Sequence, residues 1–198
     1  MTQALQEYPI HGEVVIKEAI KEHIDVIPIP GACAFINALI VSGLSTKNFQ
    51  FIGFLPTVTK ERDEILEDIK YNTNTIIFYE APHKLIKTLE VLYNKFGDRQ
   101  VVLAKELTKL HECFMRGSLS NTLEKLKNEG KIRGEYVIIV EGSRVTKNEL
   151  EKEQLSNLPL FEHYEYYEKQ GLAKKEIIKR IAKDRNVSKN DIYMNFID

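Results

Sequence analysis

The chain has 198 residues, 43% hydrophobic and 29% charged, with 28 Lys and Arg against 29 Asp and Glu for a formal net charge of -1. This is the balance of an ordinary soluble globule, long enough for one domain with an appendage or for two small ones, and its charge says nothing of nucleic acid unless the basic residues cluster. No run approaches the 18 apolar residues of a membrane helix and the start lacks the basic and apolar regions of a signal peptide; Cys33 and Cys113 stand apart without CxxC spacing, which reads as a reducing, cytoplasmic protein with two free thiols.

In chain order, residues 1–12 carry no evident element and are punctuated by Pro9 and Gly12. Glu13 to Glu22 reads as a helix with Val14, Val15, Ala19 and Ile20 on its apolar side, and Ile24 to Pro30 as a short strand stopped by proline. Gly31 supplies a turn before a helix beginning near Ala32, on which Ala34, Phe35, Ala38 and Leu39 share a face, and Gly43 ends it. Helix, strand, tight loop and helix resemble the last part of an α/β layer. Residues 1–43 are therefore expected to be the remnant of a domain whose first strands precede this sequence, and to expose an apolar edge or surface.

Residues 44–142 are expected to form a second α/β domain. Phe49 to Leu55 is a strand closed by Pro56, and Lys60 to Tyr71 a helix with Ile65, Leu66 and Ile69 at helical spacing. Thr75 to Tyr79 is a short β-branched and aromatic run without Gly or Pro, which reads as a buried strand; Pro82 then starts a helix carried by Leu85, Ile86, Leu89 and Leu92. A second buried strand, Val101 to Ala104, empties into Lys105-Glu106-Leu107-Thr108-Lys109. Cys113 to Ser118 is left unassigned, a helix from about Asn121 to Glu129 ends at Gly130, and Tyr136 to Val140 is a further buried strand. Four strands and three covering helices result, in an unread order. Loops leaving parallel strands at their carboxyl ends are where ligands collect in α/β sheets, so the segments after Tyr79 and after Ala104 are the place to look for chemistry.

Residues 143–168 are polar and acidic at first, then aromatic at Phe161, Tyr164, Tyr166 and Tyr167, and read as a linker with some rings docked nearby. Residues 169–198 read as a helical hairpin. Its first helix carries Leu172, Ile177, Ile178, Ile181 and Ala182, and the second starts at the capping-box spacing Ser188 to Asp191. Between Lys169 and Lys189 eight basic residues (Lys169, Lys174, Lys175, Lys179, Arg180, Lys183, Arg185 and Lys189) face two acidic ones, Glu176 and Asp184. This is either a nucleic-acid contact or the solvated face of an amphipathic helix.

The sequence has no GxGxxG or GxxxxGKS phosphate loop, no GxSxG elbow and no paired histidines at metal spacing, so no metal site is expected. Glu80 and His83 flank a strand-to-helix corner, while Glu106, Lys109, His111 and Glu112 follow the next strand. Together they form either a functional polar cluster or an ion-pair and capping network, since an acidic residue near a helix start is favourable in itself. Gly31 and Gly134 are either turns or points where backbone approaches a cofactor, and Cys33 is either a reactive thiol or a small packed residue.

Six segments in combination, Pro28-Ile29-Pro30-Gly31-Ala32-Cys33-Ala34, Ser42-Gly43-Leu44, Phe51-Ile52-Gly53-Phe54-Leu55-Pro56, Phe78-Tyr79-Glu80-Ala81-Pro82-His83-Lys84, Lys105 to Glu112 and Gly134-Glu135, resemble the successive motifs of the ribosomal RNA small subunit methyltransferase I family. The resemblance implies a tetrapyrrole methylase-like α/β fold, here an incomplete first domain plus a complete second one and a carboxyl-terminal helical hairpin. It further implies S-adenosylmethionine as cofactor, 2'-O-methylation of a cytidine in small-subunit (16S) rRNA, and the ribosomal subunit or its rRNA as partner. Carried onto matching positions, Ala34, Tyr79, Pro82, Gly134 and Glu135 line the cofactor cleft, and Glu80, Glu106 and Lys109 orient the hydroxyl or shape its electrostatics. The sequence departs from the family at Ala32-Cys33, where proline and serine are usual, and at Thr57-Val58-Thr59, where a more basic run is usual. The family's first strand and most of its glycine-rich loop would precede Met1, with Pro9 to Val15 resembling the end of that loop. The expectation is that this exact chain binds the cofactor weakly or not at all and does not turn over, with a rebuilt pocket in a homodimer as the rival reading and a non-catalytic RNA-binding protein as the alternative function.

Overall fold

The computed structural model describes residues 11–196, so the expectations for Met1 to Ile10 lie outside the described residues. The chain divides into two compact units, Met1–Lys70 with Asn74–Gly142 and Tyr71–Thr73 with Ser143–Asp198.

The first unit is built on a mixed sheet of β1 (Phe49–Phe54), β2 (Thr75–Glu80), β3 (Gln100–Lys105), β4 (Cys113–Ser118) and β5 (Tyr136–Val140), in the order β1-β2-β5-β3-β4. Composition explains the order. Tyr-Val-Ile-Ile-Val of β5 is buried at every position, as a strand covered on both faces should be, and it takes the centre. β2 and β3 flank it and are nearly as buried, whereas β1 and β4, interrupted by Gln, Gly, Arg and Ser, lie at the edges. β5 runs antiparallel to both neighbours, with Glu80 and Lys105 each opposite Tyr136. β2 and β3 therefore point the same way, and the loops leaving them meet the chain as it enters β5.

The pleat sorts the core. Ile76 and Phe78, Val101 and Leu103, and Tyr136, Ile138 and Val140 share one face. That face is packed by Leu66 and Ile69 of α3 (Thr59–Ile69), by Leu85, Leu89, Leu92 and Phe96 of α4 (Leu85–Phe96), and by Leu119, Leu123 and Leu126 of α5 (Leu119–Asn128). Burying one such leucine stabilises the fold by about 1.5–3 kcal/mol. The other face, Ile77, Val102, Ala104, Val137 and Ile139, meets Ala38 and Leu39 of the short helix α2 (Ala34–Ile40).

Two expectations change in this unit. Cys113–Ser118 is a strand, β4, paired antiparallel with β3 along its whole length; Arg116, Gly117 and Ser118 blur its alternation, and the pairing holds it. Ile24 to Pro30 is not a strand: Pro28 and Pro30 lack backbone donors, no ladder forms, and Ile27 and Ile29 are 81% and 92% exposed. α1 (His11–Lys21) also leaves Val14, Val15, Ile16 and Ile20 exposed. Exposed apolar side chains are thus concentrated along residues 14–41.

In the second unit the expected linker is helical. α6 (Lys147–Asn157) starts on a capping box between Thr146 and Glu149, and α7 (Leu160–Glu168) follows directly. Together with α8 (Lys174–Arg185) and α9 (Lys189–Met194) they build one core in which Tyr167, Ile177, Ile178, Ile181, Ala182 and Ile192 are packed by Leu155, Leu160 and Tyr164. The hairpin of residues 169–198 is therefore half of a larger helical unit. The linker reading fails because α6 carries charge on nearly every side and meets the core chiefly through Leu155. Asn186, in the left-handed region at φ 54, ends α8, and a capping box at Ser188 starts α9.

A buried polar group pins these helices. His163 is fully buried; Arg185 Nε donates to its Nδ1 at 3.2 Å, and its Nε2 lies 3.3 Å from Asp184 Oδ2, ion-pair distance without hydrogen-bond alignment. The Tyr167 hydroxyl donates to the same carboxylate oxygen at 2.6 Å, and Arg185 also donates to the Leu158 carbonyl. Burial, helped by the Arg185 charge, holds the His163 pKa below the usual value.

Candidate functional site

Three segments converge at one end of the sheet: the corner after β2, the loop between β3 and β4, and the approach to β5. Tyr79 and Glu80, adjacent in β2, point to opposite faces.

Glu80 lies on the α4 face and is buried. One carboxylate oxygen accepts the Ala81 N–H at 2.8 Å, and the other accepts the Thr88 hydroxyl, from the first turn of α4, at 2.5 Å. It is a clamp that ties the Ala81-Pro82-His83 corner to the helix, which is the capping role. Pro82 leaves the sheet beside the approach to β5, because Glu80 pairs with Tyr136.

Tyr79 lies on the α2 face. Its ring meets Phe51 edge-on at 5.0 Å and Phe54 at 5.6 Å, and Phe35 stacks on Phe51 at 4.4 Å. Burial pushes the Tyr79 pKa up, and the nearby Phe35 main chain acts less strongly in the opposite direction. Ala34, exposed as the first residue of α2, is next to that contact. The structure thus joins Ala34 and Tyr79 through Phe35 and sets both apart from Glu80.

The densest cluster is Glu106, Lys109, Gly134 and Glu135. Glu106 N–H donates to the Glu135 carbonyl at 3.0 Å, while Glu106 Oε1 accepts the Glu135 N–H at 2.9 Å and Lys109 Nζ at 3.0 Å. Lys109 Nζ also donates to Glu135 Oε2 at 3.3 Å, so one ammonium bridges two carboxylates. The hydrogen bond from Lys109 lowers the Glu106 pKa, with the Glu135 N–H adding to it, and the same bond raises the Lys109 pKa. Both groups are held in their charged forms.

Gly134 makes this arrangement possible, in a way the sequence does not reveal. Its φ is +96, and a Cβ there would stand 2.7 Å from Glu106 Cγ and 2.9 Å from Glu106 Oε1. The space a Cβ would take at Gly134 is filled by the Glu106 side chain, so the glycine is required by packing within the chain itself. Glu106 and Thr108 also have positive φ, 53 and 65. Such a conformation is rare for a β-branched residue and collects at binding sites and switch segments. The loop is locked in it: Lys109 N–H donates to the Glu106 carbonyl, Glu112 N–H to the Lys109 carbonyl, and Thr108 N–H to the Glu112 carboxylate at 2.7 Å.

Sequence reasoning overlooked Thr88, whose signal is a hydroxyl one helical turn past an acidic strand end, and Phe35, whose main chain meets Tyr79. His83 and His111 are exposed and add nothing to the cluster. In the second unit, Lys174 and Arg185 turn inward, Lys174 donating to the Phe196 carbonyl at 2.8 Å and Arg185 to His163 and Leu158, so neither is a free cation of the basic set.

A mixed sheet covered by helices, with a constrained loop and a lysine-bridged carboxylate pair gathered at its strand ends, defines an α/β protein with a charged cluster at one end of its sheet. The family model of the Tetrapyrrole (Corrin/Porphyrin) Methylases matches residues 8–122, and the chain belongs to that family. Among curated proteins it is similar to "Ribosomal RNA small subunit methyltransferase I" of Halalkalibacterium halodurans, 46% identical over 92% of this chain and 62% of the relative. The protein of the same name from Bacillus subtilis is 42% identical over 89% of this chain and 61% of its own length. The chain thus spans about three-fifths of the length of these relatives. Among solved structures, the methyltransferase CobJ superposes with a TM-score of 0.50 at 18% identity, over 69% of this chain and 60% of that one, a likeness of fold.

Proposed function

We propose that this chain supplies the second-domain side of an S-adenosylmethionine-dependent methyltransferase acting on the 2'-hydroxyl of a cytidine in small-subunit rRNA. The observation that carries the reading is the convergence of the Pro82 corner, the Glu106–Lys109 loop and Gly134–Glu135 at one sheet end, in a chain 46% identical to a protein named for rRNA methylation.

The residues suit the cofactor chemically. Carboxylates at Glu106 and Glu135 offset the charge of a sulfonium, and the main chain of Ala81-Pro82 and of Gly134-Glu135 offers backbone donors and acceptors. Tyr79 and Ala34 line the α2 side. S-adenosylmethionine, when bound, supplies the methyl group. Lys109 stays protonated, because two carboxylates hold its proton, and serves as a fixed cation toward an RNA phosphate rather than as a base. Glu106, with its pKa lowered, is a weak base and acts by orienting Lys109 and the strand entry. Glu80 contributes by fixing the Pro82 corner. Methyl transfer is a displacement, so alignment of the reacting atoms is the main demand, and a misplacement of about 1 Å costs roughly a hundredfold in rate.

A second reading, RNA binding without methyl transfer, is favoured by the exposed apolar residues of segment 14–41: among the described residues, the Tyr79 face is covered by α2 with Leu44, Leu107 and Phe114, and the apolar side chains of α1 are not part of that cover. Calorimetry of the 198-residue chain with S-adenosylmethionine and S-adenosylhomocysteine, with a methyl-transfer assay on small ribosomal subunits, separates the two. Micromolar affinity, lost in Tyr79→Ala, together with multiple turnovers supports the enzyme. RNA binding without cofactor binding selects the second reading.

A further inference from the structure

Residues 171–196 hold seven Lys and Arg against three Asp and Glu; apart from Lys189, the first residue of α9, the fold sorts them into two groups. Lys174 and Arg185 are committed to internal carbonyls and His163, and Arg180 lies over the Tyr167 ring with its Nε 3.6 Å from Glu176. Lys175, Lys179 and Lys183 are exposed and spaced by four residues on α8, which places them along one ridge about 6 Å apart in axial steps. Lys179 has only a 3.9 Å ion pair with Glu176. Lys175 and Lys183 have no partner among the described residues.

The apolar stripe of α8, Ile177, Ile178, Ile181 and Ala182, is buried in the unit's own core. No apolar face of α8 remains to enter a lipid interface, which disfavours a membrane as the partner of the lysines. On α9 of the same unit the capping box fixes the helix so that Ile192 is buried while Tyr193, 50% exposed, and Met194, 69% exposed, face solvent. Tyr193 has no ring partner among the described residues. A lysine ridge with one weak ion pair, at Lys179, and an aromatic ring without a ring partner, both on one small unit, are the two components of a single-stranded nucleic-acid surface, cations tracking the backbone and a ring on which a base stacks.

We infer that the second unit binds single-stranded RNA through the Lys175–Lys179–Lys183 ridge, with Tyr193 as a base-stacking platform. This rests on the proposal that the partner is RNA and extends it to residues outside the candidate site. Each neutralised phosphate contributes a salt slope of about 0.7 for a single strand, so three lysines account for a slope of about 2. Stacking of one base is worth about 1–3 kcal/mol, or roughly 5- to 150-fold in affinity.

The test is fluorescence anisotropy of the full chain with a labelled single-stranded RNA oligonucleotide across a range of salt. K175Q/K179Q/K183Q should lower the salt slope by about 2, whereas the control K47Q/K60Q/K125Q, with the same change in net charge, should leave it unchanged. Tyr193→Ala should weaken binding at least fivefold, and Tyr193→Phe should restore it. Equal slopes for the two triple variants, no binding of RNA by the parent chain, or binding of phosphatidylserine vesicles in place of RNA would each overturn the inference. S-adenosylhomocysteine calorimetry on the same variants keeps its failure separate from that of the methyltransferase reading, because none of the substituted residues lies in the candidate cofactor site.

Discussion

Replacing Gly134 by alanine tests whether the Glu106 cluster is held by a single missing Cβ. At φ +96 an L-residue costs about 1–2 kcal/mol in backbone strain alone. The new Cβ would also stand 2.7 Å from Glu106 Cγ, well inside a normal carbon contact of about 3.5–4.0 Å, so the Glu106 side chain must swing out. That movement removes the acceptor of the Glu135 N–H, a loss of about 0.5–1.5 kcal/mol for one hydrogen bond, and it separates Glu106 from Lys109. The expected total is about 1.5–3.5 kcal/mol. In a Glu106→Ala background the clash and the hydrogen bond are already gone, and Gly134→Ala should cost only the strain of about 1–2 kcal/mol. Urea denaturation followed by circular dichroism gives the four stabilities of this cycle, and hydrogen exchange at the Tyr136–Val140 amides confines the readout to the sheet. Equal costs in the two backgrounds would refute the steric account and leave Gly134 a conformational requirement only.

Thr88→Val keeps the shape of the side chain and strips one hydrogen bond from the buried Glu80 carboxylate, so it should lower stability by about 1.5–3 kcal/mol in urea, while Glu80→Gln retains most of it; a loss below about 0.5 kcal/mol would remove the clamp. Because burial holds the folded His163 pKa below the ordinary imidazole value of 6.5, the unfolded chain takes up the proton first, and stability should be full above pH 6.5 and fall as the pH drops from there toward the folded value. The urea midpoint of the second unit, read between pH 7 and 5, should show this fall, and His163→Gln should flatten it; an identical slope in the variant would assign the effect to other groups. Ser188→Ala removes the side-chain acceptor of the Asp191 N–H and should cost about 0.5–2 kcal/mol, visible as faster exchange at the α9 amides.

The central strand and its neighbours were legible because Thr75 to Tyr79, Val101 to Ala104 and Tyr136 to Val140 are continuous apolar runs, a pattern that only burial on both faces requires. The meeting of the loops after β2 and β3 was legible for the same reason, although β5 running between them in the opposite direction was not, since nothing in Tyr-Val-Ile-Ile-Val encodes a direction. The resemblance assigns Tyr79 and Glu80 different roles without saying that they face opposite ways, which the alternation across the pleat shows. Helix α6 was hidden by its own solubility, with no buried residue to set a helical period. Ile24 to Pro30 misled in the opposite sense, being apolar enough for a strand while its prolines and the lack of a partner deny it a ladder.

β1 and β2 form one ribbon and β3 and β4 another, and β5 alone joins them. For a chain emerging from its amino terminus, both ribbons are made before residues 136–140 appear, and each must wait with an apolar edge, β2 or β3, open to any other strand. Closing the sheet is then a long-range, slow event, because β5 has to enter a slot between segments that end some 30 and 60 residues earlier and satisfy both edges at once. Misfolding should be most frequent in that interval, through ribbons that pair with each other or with a second chain before the last strand arrives. The Glu106–Glu135 hydrogen bonds form only when β5 is seated, so the charged cluster at the sheet end exists only in molecules that have completed this step.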